Sequence, residues 1–186
     1  MKIMVIRHGK TMANELRLYC GSTDLPLSEA GRAELAQKVV TPPENCRFYS
    51  SPLCRAVQTL ELLFGEVEFQ RESRFREVDV GIFEMKSYEM LKDDPAYQTW
   101  ITGDNQANVP PEGESGNAMA ARVMEAFREL IARGENAVLV THGGVIAALM
   151  EGLFPEENKN RYQWQSANGG GYLLTLEENR WSYQQI

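Results

Sequence analysis

Two histidines occur in this chain, His8 and His142, and both occupy the same local setting. Each follows a short apolar run and precedes glycine: Ile3-Met4-Val5-Ile6-Arg7-His8-Gly9 and Val138-Leu139-Val140-Thr141-His142-Gly143-Gly144. An imidazole is a good phosphoryl acceptor near neutral pH, because a large fraction of it is unprotonated. It needs its other ring nitrogen held by an acceptor, so that the attacking nitrogen keeps its lone pair. Arg7 arrives beside the first histidine, and a guanidinium offers paired N–H donors to phosphate oxygens. Two imidazoles and a guanidinium at one place suit a phosphoryl group above other ligands. Gly9, with no Cβ, would let the backbone pass close to it.

Further residues fit the same chemistry. Thr11 and Asn14 lie in the turn after His8 and can both donate to a phosphate oxygen, although each alone is more often a helix-start or surface residue. Ser50-Ser51-Pro52-Leu53-Cys54-Arg55 places Arg55 in the first turn of a helix, where the helix N-terminus already favours anions. Taken by itself, Arg55 reads rather as a solvated helix residue. Cleavage of a monoester needs a proton for the leaving oxygen. A carboxyl among apolar neighbours has its pKa raised enough to supply it, and Glu77, in Phe75-Arg76-Glu77-Val78-Asp79, is such a candidate. Asp79 competes with it, and spacing alone does not choose between them.

Apolar runs that end in glycine read as buried parallel strands, and in an open α/β sheet the ligand site lies beyond their carboxyl ends. The first run predicts a strand at about Lys2–Ile6. Arg47–Ser50 reads as a second, Val67–Gln70 as a weak third and Ala137–Thr141 as the strand before His142. Helical patterns fall at about Ser28–Val40, Leu53–Phe64, Ser87–Ile101, Val145–Leu153 and from an N-capping Ser115 to about Arg133. Gly171–Glu177 and Trp181–Gln184 fit a closing hairpin around Glu178-Asn179. Strands alternating with helices predict an α/β fold, a three-layer α/β/α sandwich with a mostly parallel central sheet. The polar region at about 78–115 reads as a small helical cap insertion in a single domain spanning 1–186. Its aromatics, Phe83, Tyr88, Tyr97 and Trp100, line the site or pack the cap's own core.

The 186 residues suffice for one well-filled core, and their formal net charge is −7. That balance argues against nucleic-acid or anionic-membrane partners, which want a basic surface, but not against a small phosphate ester held in a local cationic pocket. No stretch approaches the ~18 apolar residues of a transmembrane helix. One lysine and then a strand leave no room for a signal peptide. Cys20, Cys46 and Cys54 cannot all pair and show no CxxC spacing, so reduced thiols in a cytoplasm are expected. No cluster of Cys and His suggests a metal. Tyr162, Trp164 and Trp181 are open as core or interface residues, and a homodimer is compatible with them.

Together these blocks resemble the histidine phosphatase superfamily in its phosphoglycerate-mutase-like branch. The resemblance rests on Arg7-His8-Gly9-Lys10-Thr11 with Asn14, Cys20 to Gly31, Ser50 to Thr59, Phe75-Arg76-Glu77 with Gly81, Pro111 to Ser115 and Val140 to Gly144, in the family's order across nearly the whole chain. It implies His8 as the phosphorylated nucleophile and Glu77, not Asp79, as the proton donor. It implies Arg7, Arg55, His142 and Asn14 as the phosphate pocket, with Thr11, Cys20, Gly21 and Gly143 from the matched blocks beside them, and neither metal nor cofactor. Lys10 departs from the pattern and would add positive charge at the pocket mouth. Phe83-Glu84-Met85-Lys86 departs too. The cap from Gly81 to Glu112 has no arginine, whereas mutases of the branch resemble longer chains with paired cap arginines. Net hydrolysis of a small monoester is therefore expected, with α-ribazole 5'-phosphate as one substrate. A cofactor-dependent phosphoglycerate mutase and a phosphate-binding regulatory protein are the alternatives.

Overall fold

A computed structural model describes all 186 residues. In chain order the elements are β1 (Lys2–Arg7), α1 (Met12–Glu15), α2 (Glu29–Ala36), β2 (Arg47–Ser50), α3 (Cys54–Phe64), β3 (Phe69–Arg71), α4 (Tyr88–Leu91), α5 (Pro95–Ile101), α6 (Gly116–Ala132), β4 (Ala137–Thr141), α7 (Gly143–Leu153), α8 (Arg161–Trp164), β5 (Gly171–Glu177) and β6 (Arg180–Gln185). The strands form one sheet in the order β3-β2-β4-β1-β5-β6. β1, β2, β3 and β4 run parallel, and the β5–β6 hairpin adds on antiparallel to β1.

The buried strands send alternate residues to opposite faces. Ile3 and Val5 of β1 and Leu139 of β4 meet Val123, Phe127 and Leu130 of α6 and Ile146 and Leu149 of α7. Met4, Ile6, Val138 and Val140 meet Ala56 and Leu60 of α3 on the other side. The result is the expected three-layer α/β/α sandwich. No helix is long and apolar enough to cross a membrane.

Several boundaries differ from the sequence expectations, each for a local reason. α2 ends at Ala36 rather than near Val40, because Leu35 is its last buried residue and Val39 stands 95 % exposed. α7 starts at Gly143, two residues early, with His142 as its N-cap. The single helix expected at Ser87–Ile101 is two, because Asp94 caps a new start with Pro95 in its first turn, and a proline ring would clash inside a continuous helix. The hairpin turn does lie at Glu178-Asn179, with φ of 48° and 61°, the two left-handed residues that a two-residue hairpin favours.

The stretch 78–115 leaves the sheet and returns to it. Its two ends are bonded at the base: Glu114 N–H donates to Asp79 O at 2.9 Å and Ile82 N–H to Pro111 O at 3.1 Å. Above that base Val80, Phe83, Leu91 and Tyr97 make a small core of their own, with Trp100 packed against it. Phe83 and Tyr97 are thus buried in the cap, while Tyr88 is exposed. Trp164 is buried in the main core, Trp181 packs against that core and Tyr162 is exposed.

Candidate active site

β1 and β4 are in parallel register from Ile3↔Ala137 to Arg7↔Thr141, so His8 and His142 leave neighbouring strands at the same level. β2 flanks β4 on its other side with Ser50 opposite Val140, which brings Ser51 to that level too. Two imidazoles separated by more than a hundred residues of chain therefore meet at the carboxyl rim of the sheet. Their ring centroids are 5.1 Å apart, edge to face, and both rings are buried.

His8 Nδ1 lies 2.7 Å from Gly9 O, a carbonyl that can only accept. The Nδ1 proton is fixed by that bond, and Nε2 keeps the lone pair that an attack on phosphorus needs. Burial, reinforced by the positive charge of Arg55, pushes the His8 pKa down to about 3, so the ring is neutral at physiological pH. His142 Nε2 meets Ser51 Oγ at 2.7 Å, and its Nδ1 is buried with no protein partner. Burial and then Arg55 hold His142 well below the usual imidazole range.

Arg7 Nη1 donates to Ser166 O at 2.7 Å, while its Nε is buried without a partner. Arg55, only 1 % exposed, donates to Gly21 O at 2.7 Å and Thr23 O at 2.8 Å, leaving its other N–H groups to a ligand. The carbonyls that aim Arg55 are themselves fixed by Glu84, whose carboxylate accepts from the backbone N–H of Gly21 at 3.0 Å and Ser22 at 2.9 Å and from Thr23 Oγ1 at 2.7 Å. Gly21 is required at that crossing, since a Cβ would sit 1.7 Å from Val78 O. Cys20 borders the same loop with Sγ 3.6 Å from Thr23 O, and burial pushes its thiol pKa up.

Asn14 Oδ1 accepts from Thr11 N–H at 3.0 Å and Thr11 Oγ1 at 3.1 Å, which leaves the two N–H groups of the Asn14 amide outside that exchange. Thr11 spends its hydroxyl proton on that bond, so it orients Asn14 rather than offering a donor itself. Asn168 Nδ2 joins the arrangement from 160 residues away, donating to His8 O at 3.0 Å. Gly143 sits where a Cβ would lie 3.1 Å from Arg7 Cζ. Two sequence readings are corrected here. A Cβ on Gly9 would meet Leu35 Cδ1 at 2.6 Å, so that glycine serves packing against α2 rather than approach to a ligand. Lys10 turns away to pair with Glu34 at 2.7 Å and is half-exposed, so it adds little charge at the mouth.

Glu77 and Asp79 separate clearly. Glu77 Oε2 accepts from Gly144 N–H at 2.9 Å, at the start of the helix that His142 caps, and Oε1 accepts from Val78 N–H at 3.0 Å. Its surroundings are thus polar backbone rather than the apolar neighbours expected. Asp79 instead accepts from Gly81 N–H at 2.9 Å in the base of the cap. A cavity of about 220 Å³ runs from Gly144 and Val78 under the cap, walled by Tyr19, Trp100 and Tyr162 and edged by Gln106 and Arg161. A roomier groove around Phe48 and Phe69 lies at the opposite end of the strands, away from both imidazoles.

Ser51, Glu84, Ser166 and Asn168 were not singled out by sequence reasoning. Ser51 had a usable signal, since it ends a strand as the histidines do. The other three act through contacts whose partners are remote in the chain. No group of three or more His, Cys, Asp or Glu is arranged to hold a metal ion.

Buried imidazoles and guanidiniums with unpaired N–H or lone-pair atoms, gathered at the carboxyl rim of a parallel sheet, define an oxyanion-handling α/β protein. More narrowly, residues 3–186 match the family model of the histidine phosphatase superfamily (branch 1), and the chain belongs to that family, whose members are phosphatases or mutases. Phosphoglycerate mutase-like protein 4 from Arabidopsis thaliana is 32 % identical over 168 residues, covering 85 % of this chain and 73 % of that protein. The solved α-ribazole phosphatase from Shigella flexneri superposes with a TM-score of 0.87 at 24 % identity, covering 100 % of this chain and 96 % of that one. A phosphoglycerate mutase from Bacillus anthracis superposes with a TM-score of 0.79 at 21 % identity, covering 100 % and 92 %. At those identities the two superpositions show the shared fold.

Proposed function

We propose that this protein is a metal-independent phosphomonoesterase that works through a phosphohistidine on His8. The observation that carries the reading is the pair of buried, unpartnered atoms, Arg7 Nε and His142 Nδ1, beside a histidine whose Nδ1 is already occupied. Unpartnered buried polar atoms are costly, and a phosphoryl group supplies their missing partners. The phosphate is held by Arg7, Arg55, His142 and Asn14. His8 Nε2 attacks phosphorus as the ester P–O bond breaks, and Glu77 gives its proton to the departing alkoxide. Water then attacks the phosphohistidine, Glu77 takes a proton from it, the P–N bond breaks and inorganic phosphate leaves. The cationic pocket disperses charge on the equatorial oxygens, the main electrostatic contribution in phosphoryl transfer. Two displacements replace one difficult step.

Hydrolysis is favoured over mutase activity by the cavity beside Glu77. A mutase must hold a substrate carboxylate as well as its phosphate. The one cation lining this cavity, Arg161, is engaged by Glu151 at 2.7 Å and by the Gln106 carboxamide oxygen. Glu114 adds an acidic group to the same wall. The leaving alcohol that suits Tyr19, Trp100 and Tyr162 is uncharged and carries a flat apolar part, and α-ribazole 5'-phosphate is one such ester. The similarity to phosphoglycerate mutase-like protein 4 keeps the mutase as the second reading.

The test is phosphate release, with chelator present, from para-nitrophenyl phosphate, α-ribazole 5'-phosphate, 3-phosphoglycerate and sugar phosphates, for wild type and His8→Ala. Release that the chelator leaves intact and His8→Ala abolishes is expected. Isomerisation of 3-phosphoglycerate with a bisphosphoglycerate primer, and no hydrolysis, would establish the mutase instead. Near-wild-type turnover by His8→Ala would end the phosphohistidine scheme.

A further inference from the structure

We infer that Arg122, on α6, is the positioning residue for the general acid, holding the strand of backbone from which Glu77 projects. The inference rests on the phosphatase reading above, with Glu77 as proton donor. Arg122 is mostly buried. Its Nη1 donates to Arg74 O at 2.7 Å and Arg76 O at 2.8 Å, and its Nη2 donates to Glu77 O at 3.0 Å. Its Nε donates to Glu114 Oε2 at 3.0 Å, and Nη2 also meets Glu114 Oε1. A guanidinium has five N–H donors in a rigid fork, and these contacts occupy all of them. The carbonyl between, Phe75 O, accepts from Thr141 Oγ1 at 2.7 Å. Four consecutive carbonyls ahead of and including the acid are therefore tied down, three by one side chain and one by the end of β4.

This differs from ordinary structural burial in what it fixes. Arg122 forms no hydrogen bond with His8, His142, Arg7 or Arg55, and its charge is the smallest of the influences that lower the His142 pKa. Its hydrogen bonds reach the reacting groups through the backbone of Glu77, and its other partner, Glu114, lies on the cavity wall. Its partner Glu114 accepts from Asp79 N–H at 3.2 Å, so the same ion pair also closes the base of the cap. A general acid acts only within hydrogen-bond reach of the leaving oxygen, and an error near 1 Å costs on the order of 100-fold. Lysine, with three donors on a flexible stem, cannot serve Glu114 and three carbonyls together.

The leaving group reports on the acid. para-Nitrophenolate departs without a proton, whereas a simple alkoxide such as propoxide needs one. kcat/KM covers the steps up to phosphorylation of His8 and so isolates this requirement from phosphoenzyme hydrolysis. For Arg122→Lys and Arg122→Gln we expect kcat/KM for propyl phosphate to fall on the order of 10- to 100-fold, with lysine the milder change. For para-nitrophenyl phosphate the same variants should stay within about threefold, and Glu77→Gln should lose more on propyl phosphate than on para-nitrophenyl phosphate. Thermal unfolding verifies that each variant is folded, and should Arg122→Gln not fold, Arg122→Lys carries the measurement. Equal losses on both esters, or no loss on either, would overturn the inference while leaving the phosphatase reading intact. A wild type that hydrolyses neither ester in a His8-dependent way would sink the phosphatase reading, and the inference with it.

Discussion

The imidazoles are prepared in opposite ways. His8 has its Nδ1 committed to Gly9 O and offers Nε2, whereas His142 has its Nε2 committed to Ser51 Oγ and offers Nδ1. Gly9 O, a pure acceptor, sets the His8 tautomer, whereas Ser51 Oγ can donate or accept and holds the His142 ring by Nε2 in either case. Ser51→Ala removes the neighbour of His142 and leaves the contacts of His8 in place. A lost buried hydrogen bond of this kind is worth about 1 kcal/mol or somewhat more, so kcat/KM is expected to fall about tenfold, as steady-state assay on an aryl phosphate will show. An unchanged value would mean that His142 is held by its packing alone. At this scale the sequence was informative for His8, His142, Arg7 and Arg55, because strand ends and a helix start mark themselves by apolar runs, glycine and proline. It was silent on Ser166 and Asn168, whose contacts cross about 160 residues. No local pattern encodes a partner that far away.

Among the elements, the loop from Cys20 to Asp24 has no regular structure, yet it aims Arg55. It is rigid because Glu84 gathers its N–H groups as a bound anion would. Glu84→Ala strips the partner from buried backbone donors, at a cost of about 1–3 kcal/mol, and frees the carbonyls of Gly21 and Thr23 to turn from Arg55. A lower unfolding midpoint and a raised KM, with kcat less affected, are expected from melting curves and initial rates. A KM that does not move would uncouple the loop from phosphate binding. The elements themselves were legible wherever period and punctuation agreed, as in α3, α6 and the hairpin around Glu178-Asn179. The break in the cap was legible too, since Asp94 before Pro95 is a helix-start pair, and the expected single helix ran through it. The four-residue helices α1 and α8 are too short to show a period at all.

For the molecule as a whole, burying two neutral histidines has a thermodynamic consequence. The folded-state pKa of His8 is about 3, below the value near 6.5 of the unfolded chain, and that of His142 is lowered too. The unfolded state therefore binds more protons throughout that window, and stability is lost as pH falls from about 6.5, by up to ~1.4 kcal/mol per pH unit for each ring. Urea melts at pH 7 and pH 5 should show the drop, and His8→Asn, with no ring to protonate, should make it shallower. Equal slopes for the two proteins would place the titration elsewhere. The sandwich was legible at this scale from the alternation of strands and helices, whereas the pairing of β1 between β4 and β5 was not, since strand order follows from no composition. That pairing has a bearing on biosynthesis. β1, which carries His8 at its end, is translated before its partners, since Ile3 pairs in register with Ala137 and Leu174. The apolar run from Ile3 to Ile6 thus waits unpaired until β4 and the β5–β6 hairpin have been made, and His8 meets His142 only once β1 has found β4.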